Sequence, residues 1–287
     1  MLNNKVSIPP MAICQEIFKN DDLPTACRRI RSLKYEGIEL APFMLARDLR
    51  ALPNAELQVI KETLHECDLV PVAFHWLLAS PEGMSITSPD PAVRSETISF
   101  FTHLIKVAKQ IGVPLLVFGS PAQRNIDPSW DPRESFERGV DFFREMAGCC
   151  GDAGMHIAFE HLGTAVTNFG ATFEDAMEII HQVSHPAFGL HLDMKAMHAD
   201  PKTPARQIHE GKDYLLHVHA NDPNLLGPGM GDAEIRPVLE ALIDIEYQGW
   251  ISVETFREDI PPLEIAAESM RNLQDVFKSI MDVRNRD

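Results

Sequence analysis

Short apolar segments alternate with helical patterns along the whole chain. Each apolar segment is too short for a typical helix and is rich in Val, Ile, Leu or Phe, as buried parallel strands are. Eight strands are predicted over Lys5–Cys14, Gly37–Phe43, Leu69–Trp76, Pro114–Pro121, His156–Leu162, Ala187–Met194, Leu215–Asp222 and Trp250–Phe256. No low-complexity segment or linker interrupts this alternation.

The segments between these strands carry the start signals of helices. Asp90 and Asp131 each precede a proline, which is the arrangement of an N-cap acid before proline at the first helical position. Thr172 and Asp175 have the spacing of a capping box. Eight alternating units predict an α/β fold, a closed (β/α)8 TIM barrel, as one domain over residues 1–287. The alternative is a doubly wound sheet, but no glycine-rich phosphate loop follows the first strand.

The composition of the chain argues against several classes of binding partner. The 287 residues carry a net charge of -16, which argues against nucleic acids and anionic membrane surfaces. No apolar stretch approaches eighteen residues, so no membrane span is expected. The five cysteines show no C-x-x-C spacing, and the N-terminus lacks the pattern of a signal peptide. We therefore expect a cytoplasmic protein with reduced thiols.

Strand alternation places one polar side chain inside the barrel at the end of each of four consecutive strands. Side chains along a strand point alternately to opposite faces. With the aliphatic and aromatic residues facing the helices, the inward groups at the ends of the fifth to eighth strands are Glu160, Asp193, His219 and Glu254. Barrel interiors are normally filled by bulky branched side chains, so this set needs a chemical reason.

A divalent cation supplies that reason. Three carboxylates that converge in a buried space repel one another and lose hydration. One cation held by Glu160, Asp193, His219 and Glu254 removes the conflict. Three oxygen donors with one imidazole suit Mn²⁺ as the leading candidate, or Mg²⁺, Co²⁺ or Zn²⁺.

The residues of the four strand ends resemble those of a known superfamily. Glu160, Leu192-Asp193, His217-Val-His219 and Val253-Glu254 resemble the xylose-isomerase-like TIM-barrel superfamily, with its sugar phosphate isomerases and epimerases. The resemblance covers nearly the whole chain. In the ketose 3-epimerases the four matching residues bind the metal. The resemblance implies that Glu160 and Glu254 also act as acid and base, and that the protein forms a dimer or tetramer.

Three positions depart from the ketose 3-epimerase pattern. A second glutamate, a histidine and an arginine of that family are replaced here by Val166, Ala196 and Leu225. We therefore expect a different substrate or a different exact reaction.

Other polar residues are candidates for contact with the substrate. Lys195 and His75 are candidate acids or bases, against the alternatives of a surface lysine and a packed His–Trp pair. The remaining candidates for substrate binding are Trp76, Arg124, His191, Glu39 and Asp222. Arg124 is equally compatible with an exposed loop position. The glycine-containing segment Asn221–Asp232 is expected to fold over the substrate.

These expectations describe a sugar isomerase or epimerase that removes a proton next to a carbonyl and forms an enediolate. Return of the proton to the opposite face gives epimerisation, and return to the adjacent carbon gives isomerisation. A metal-dependent lyase acting on a 3-keto-sugar or 3-keto-glycoside shares the same first step. A phosphodiesterase like endonuclease IV and a non-catalytic sugar-binding barrel are the remaining alternatives.

Overall fold

The computed structural model describes residues 8–284, in which eight parallel strands close into a barrel. The predicted (β/α)8 TIM barrel is thereby confirmed. The strands are β1 (Met11–Cys14), β2 (Gly37–Leu40), β3 (Val70–Phe74), β4 (Leu115–Phe118), β5 (His156–Glu160), β6 (Phe188–Asp193), β7 (Leu215–Ala220) and β8 (Ile251–Val253). Each strand pairs with the next, and β1 also pairs with β8. The first three residues of the first predicted strand lie outside the described residues.

Helices surround the barrel. They are α1 (Leu23–Ser32), α2 (Pro42–Leu45), α3 (Asn54–Glu66), α4 (Pro91–Ile111), α5 (Pro121–Arg124), α6 (Pro132–Ala153), α7 (Phe173–Val183), α8 (Met194–Ala199), α9 (Pro204–Gly211), α10 (Arg236–Asp244) and α11 (Pro262–Arg284). Two 3₁₀ turns span Gln15–Phe18 and Leu49–Ala51. The side chains of Asp90 and Asp131 cap α4 and α6, and Thr172 forms the predicted capping box with Asp175. Within residues 8–284, no helix combines the length and apolarity needed to cross a membrane.

The strands end earlier than predicted. The expected strands that reached Phe43 and Pro121 give way to helical turns that begin at Pro42 and Pro121. Proline has no N–H for the strand ladder, and its fixed φ suits the first position of a helix. Likewise Met194 begins α8, because the side chain of Asp193 accepts a hydrogen bond from the backbone N–H of Ala196 at 2.8 Å.

The inside of the barrel has an apolar layer near the amino ends of the strands. This layer consists of Ala12, Val72, Ala73, Leu115, Val117 and Ala158, with Leu216 and Trp250 packed against it. Gly37 leaves room for the indole of Trp250, since a Cβ at Gly37 would lie 2.9 Å from its Cζ3 atom. The layer fills the amino-terminal part of the barrel, and its Val117 also lines the cavity at the carboxyl ends of the strands.

Candidate functional site

The four strand-end residues meet in one cavity at the carboxyl end of the barrel. Glu160, Asp193, His219 and Glu254 line this cavity of about 270 Å³. They are at most 7% exposed. Strand phase brings them together because Glu160, Asp193 and His219 are the last inward side chains of β5, β6 and β7, and Glu254 directly follows β8. The register pairs Asp193 on β6 directly with His219 on β7.

These donors fit a divalent cation. One donor atom each from Glu160, Asp193 and His219 lies within 4.8 Å of the others. Nδ1 of His219 lies 3.2 Å from Oε2 of Glu254, and this buried nitrogen makes no hydrogen bond within the described residues. Buried nitrogens are normally paired, so a free lone pair among carboxylates is suited to a metal.

Glu39 sets the orientation of His219 from below. Nε2 of His219 lies 3.1 Å from Oε1 of Glu39, and Nε2 of His217 lies 2.9 Å from Oε2 of the same carboxylate. An ionised carboxylate only accepts hydrogen bonds, so both imidazoles donate through Nε2. In the neutral imidazole this arrangement leaves the lone pair of Nδ1 on the side of the cavity, where a cation would take the place of the second proton that His219 otherwise binds. Glu39 itself is fully buried and does not line the cavity.

The charges of this cluster shift the pKa values of Glu39 and His219 in opposite directions. Burial alone would raise the pKa of Glu39, but His219 and His217 outweigh it and hold that pKa well below its usual range. Burial alone would lower the pKa of His219, but Glu39 and Glu254 raise it well above its usual range. Glu39 is therefore an anion that favours the protonated form of His219, whereas burial lowers the pKa of His217 despite its contact with the same carboxylate.

The environment of Glu160 disfavours its ionised form, in contrast to the environment of Glu39. Burial, followed by the charges of Asp193 and Glu254, raises the pKa of Glu160 to about 8. Burial and Glu254 also raise the pKa of Asp193. The acids of the site thus resist simultaneous ionisation when no cation is bound, because like charges in a desolvated space disfavour one another.

Arg124 lies behind Glu160 rather than in the cavity. It is fully buried, and its Nη1 donates a 2.6 Å hydrogen bond to the backbone oxygen of Glu160. Its Nε donates to Oγ1 of Thr167 at 3.3 Å, and its guanidinium lies 4.9 Å from the ring centroid of Phe159. These contacts anchor the end of β5, and none of them leaves Arg124 at the cavity surface.

Asp193 is supported by Asn221, a residue that the sequence reasoning did not single out as part of the site. Nδ2 of Asn221 donates to Oδ2 of Asp193 at 2.5 Å, and Oδ1 of Asn221 accepts from the backbone N–H of Lys195 at 2.8 Å. Asn221 follows His219 by two residues. The same alternation that identified His219 therefore also pointed to this position.

His75 lines the cavity and lies beside the carboxylate of Glu16. Its Nε2 lies 2.7 Å from Oε2 of Glu16, another residue that was not predicted, and its Nδ1 lies 3.4 Å from Oε1 of Glu39. Burial alone would lower the pKa of His75, but Glu16 and Glu39 raise it to about 9. Glu16 and Glu39 thus favour the protonated form of His75 at the cavity wall.

The outer wall of the cavity is mainly apolar. Trp76 and Phe256 pack edge to face with centroids 6.4 Å apart, and the Nζ atom of Lys195 lies 5.9 Å from the Phe256 centroid. Val166 and Leu225, two of the three positions that depart from the ketose 3-epimerase pattern, also line the cavity. The third, Ala196, instead donates its backbone N–H to Oδ1 of Asp193, the N-cap residue of α8.

Two further candidates lie away from the cavity surface. His191 is fully buried below the site, with its Nδ1 3.8 Å from Oε1 of Glu160 and its ring 4.2 Å from that of His219. The carboxylate of Asp222 accepts backbone hydrogen bonds from Asn224 and Ala233 at 3.1 and 3.3 Å. Asp222 therefore shapes the segment that carries Leu225.

The chain is similar in sequence to curated sugar epimerases and isomerases. It is 28% identical over 230 residues to a D-psicose 3-epimerase of Ruminiclostridium cellulolyticum, and the aligned residues cover 79% of this chain and 76% of that protein. It is 26% identical over 206 residues to an inosose isomerase of Bacillus subtilis, and the aligned residues cover 68% of this chain and 71% of that protein.

Solved structures share the fold. A structure of L-ribulose 3-epimerase matches with a TM-score of 0.82 at 16% identity and covers 97% of both chains. A 3-keto-D-glucoside 4-epimerase from E. coli matches with a TM-score of 0.80 at 17% identity, covering 93% of this chain and 99% of that one. The family model of the xylose isomerase-like TIM barrel matches residues 27–276. Because that match spans most of the chain, the protein belongs to the xylose isomerase-like TIM-barrel family.

Proposed function

We propose that the protein is a divalent-metal-dependent sugar epimerase or isomerase that removes a proton from the carbon next to a carbonyl. The observation that carries this proposal is the convergence of Glu160, Asp193, His219 and Glu254 around an unpaired imidazole nitrogen. The curated relatives, named as ketose 3-epimerases and an inosose isomerase, support the same reaction class.

Glu160, Asp193, His219 and Glu254 would hold the cation. When bound, it supplies Lewis-acid stabilisation of the negative charge that develops on the carbonyl oxygen as the C–H bond breaks. Glu39 keeps the proton of His219 on Nε2, and Asn221 orients Asp193 through its amide. The chain thereby presents its donors already oriented, which lowers the cost of reorganisation during the reaction.

The two glutamates stand on different sides of the cavity. β5 and β8 are three strands apart in a barrel of eight, so Glu160 and Glu254 approach a central substrate from different directions. One carboxylate removes the proton and the other, or Lys195 or His75, returns a proton to the enediolate. Return from the opposite side inverts the carbon, so this placement favours epimerisation.

Metal analysis and hydrogen exchange test the proposal. The wild-type protein is expected to bind one equivalent of Mn²⁺, and the Glu160→Gln/Asp193→Asn double variant none. In D₂O, the loaded enzyme should exchange the C–H next to the carbonyl of at least one member of a panel of ketoses and 3-keto-glycosides. Full metal binding by the double variant would refute the site. Absence of metal-dependent exchange across the panel would refute the reaction. Release of a substituent from a 3-keto-glycoside would identify the lyase alternative.

A further inference from the structure

The cavity changes in chemical character from its floor to its rim. The floor is polar and almost completely buried, and it consists of His75, Glu160, Asp193, His219 and Glu254. The rim, which we define as Trp76, Pro121, Leu162, Val166, Leu225 and Phe256, is apolar. Val166 and Phe256 are 41% and 37% exposed, which places them where the cavity meets solvent.

The rim offers few partners for hydroxyl groups or phosphate. Lys195 is the only lysine or arginine among the described residues that line the cavity, and its ammonium is near the Phe256 ring. Arg124 is turned away behind Glu160. Ser120 is 4% exposed and lies deeper than the rim. A free sugar bound at the floor would therefore place its outer hydroxyls against carbon, which leaves them without hydrogen bonds.

The aromatic part of the rim is held in a fixed shape. Trp76 has a φ of 51°, a left-handed conformation that is rare for a bulky residue. Such a conformation persists only when the surroundings enforce it, and it places the indole edge to face against Phe256. Leu225 is held by a hydrogen bond from the backbone N–H of Phe256 to its carbonyl oxygen at 3.0 Å. A preformed apolar wall of this kind suits a flat apolar group.

We propose that the substrate is a keto-glycoside with an aromatic aglycone: the floor holds the sugar and the rim holds the aglycone. This inference rests on the proposed function, because it uses the same floor for the same proton transfer. A substituent on the anomeric oxygen prevents ring opening. The carbonyl next to the exchanged C–H must then be on a ring carbon. The substrate must therefore come from an oxidoreductase that passes a hydride from a ring carbon to a nicotinamide or flavin acceptor and the proton of the hydroxyl on that carbon to a base.

Substrate comparison with the Mn²⁺-loaded enzyme is the first test. The panel is phenyl 3-keto-β-D-glucoside, methyl 3-keto-β-D-glucoside and D-fructose, with C–H exchange in D₂O as the readout. Burial of the phenyl ring is expected to raise kcat/KM about tenfold or more over the methyl compound, with D-fructose the poorest. Equal values for phenyl and methyl, or a preference for D-fructose, would overturn the proposal.

A rim variant with a matched control is the second test. Val166→Asn changes a half-exposed valine of the rim, and Val283→Asn changes a half-exposed valine near the end of α11, away from the cavity. Val166→Asn is expected to raise KM for the phenyl compound about fivefold more than KM for the methyl compound, because the aglycone loses apolar contact. Val283→Asn should leave all of these values unchanged. An equal effect of Val166→Asn on both compounds would count against an aglycone site.

Binding without chemistry separates this inference from the proposed function. Phenyl and methyl β-D-glucoside have no ring carbonyl, so calorimetric titration measures their affinity for the loaded enzyme without turnover. Tighter binding of the phenyl compound, weakened by Val166→Asn, supports the rim assignment even if no keto sugar exchanges a proton. Equal affinities overturn the rim assignment while leaving any observed C–H exchange, and with it the proposed function, intact.

Discussion

The barrel interior contains two layers with opposite chemistry, separated by two residues along a strand. On β5, Ala158 belongs to the apolar layer and Glu160 to the cavity above it. The polar layer, which we define as Glu39, His75, Glu160, His191, Asp193, His217, His219 and Glu254, is as deeply buried as the apolar layer. The difference teaches that burial alone does not explain the interior: one layer gains stability from packing, while the other holds ionisable groups whose charges are balanced by ion pairs, by shifted pKa values and, as proposed, by a bound cation.

The largest expected effect is on catalysis by the polar layer. In the proposed mechanism Glu254 takes or returns the proton, so Glu254→Gln should lower kcat about 10²- to 10⁴-fold, the range of general acid–base catalysis. The rate of C–H exchange in D₂O, measured with metal content determined in parallel, checks this. Glu258→Gln, on the exposed ion pair with Lys19, is the matched control and should leave kcat unchanged. A Glu254→Gln enzyme with normal exchange would exclude Glu254 from proton transfer.

Metal removal should destabilise the protein through the same layer. A cation that binds only the folded state at a free concentration of 100 times Kd adds about 2.7 kcal/mol to the free energy of unfolding. Urea unfolding with Mn²⁺ or with a chelator measures this difference. Asp193→Asn should abolish it, since this change removes one of the proposed ligands from the cluster. An equal increment in Asp193→Asn would mean that the cation binds elsewhere.

Glu39→Gln should weaken metal binding although Glu39 lies below the ligands. An amide cannot accept from both Nε2 atoms as the carboxylate does, so His219 loses its fixed tautomer. Loss of such a supporting carboxylate typically costs about 10- to 100-fold in metal affinity. Competition with a chelating dye measures this affinity without any need for substrate. Glu36→Gln, at an exposed position just before β2, is the control. Unchanged affinity in Glu39→Gln would remove Glu39 from the positioning of His219.

The smallest effect is expected in the apolar layer. Leu115→Val deletes one buried methylene from that layer and should lower the free energy of unfolding by about 1 kcal/mol. Metal affinity should stay at the wild-type value, since the change lies below the charged groups. Urea unfolding of the metal-free protein together with the dye assay checks both. A loss of metal affinity in Leu115→Val would show that the two layers are not independent.

The sequence by itself determined the barrel and the convergence of the four strand-end residues. The strands are short and apolar enough to be recognised locally, and their alternation has a period of two, so Glu160, Asp193, His219 and Glu254 could be assigned to the inside before any contact was known. Their meeting at one end follows from the parallel direction of the strands. The proline-led turns at Pro42 and Pro121 carried a local signal as well, although the predicted strands ran through both positions.

Only the tertiary structure decided which polar residues support the site and which line it. Arg124 follows a strand end, as a substrate-binding arginine would, yet it points behind β5 to the backbone of Glu160. Glu39 shares the inward phase, yet it binds two histidines from β7 on the far side of the barrel interior, 178 and 180 residues later in the chain. Glu16 supports the site because it contacts His75, and Asn221 supports it because it contacts Asp193. These outcomes depend on which side chains meet across the barrel, and local periodicity contains no information on such long-range pairs.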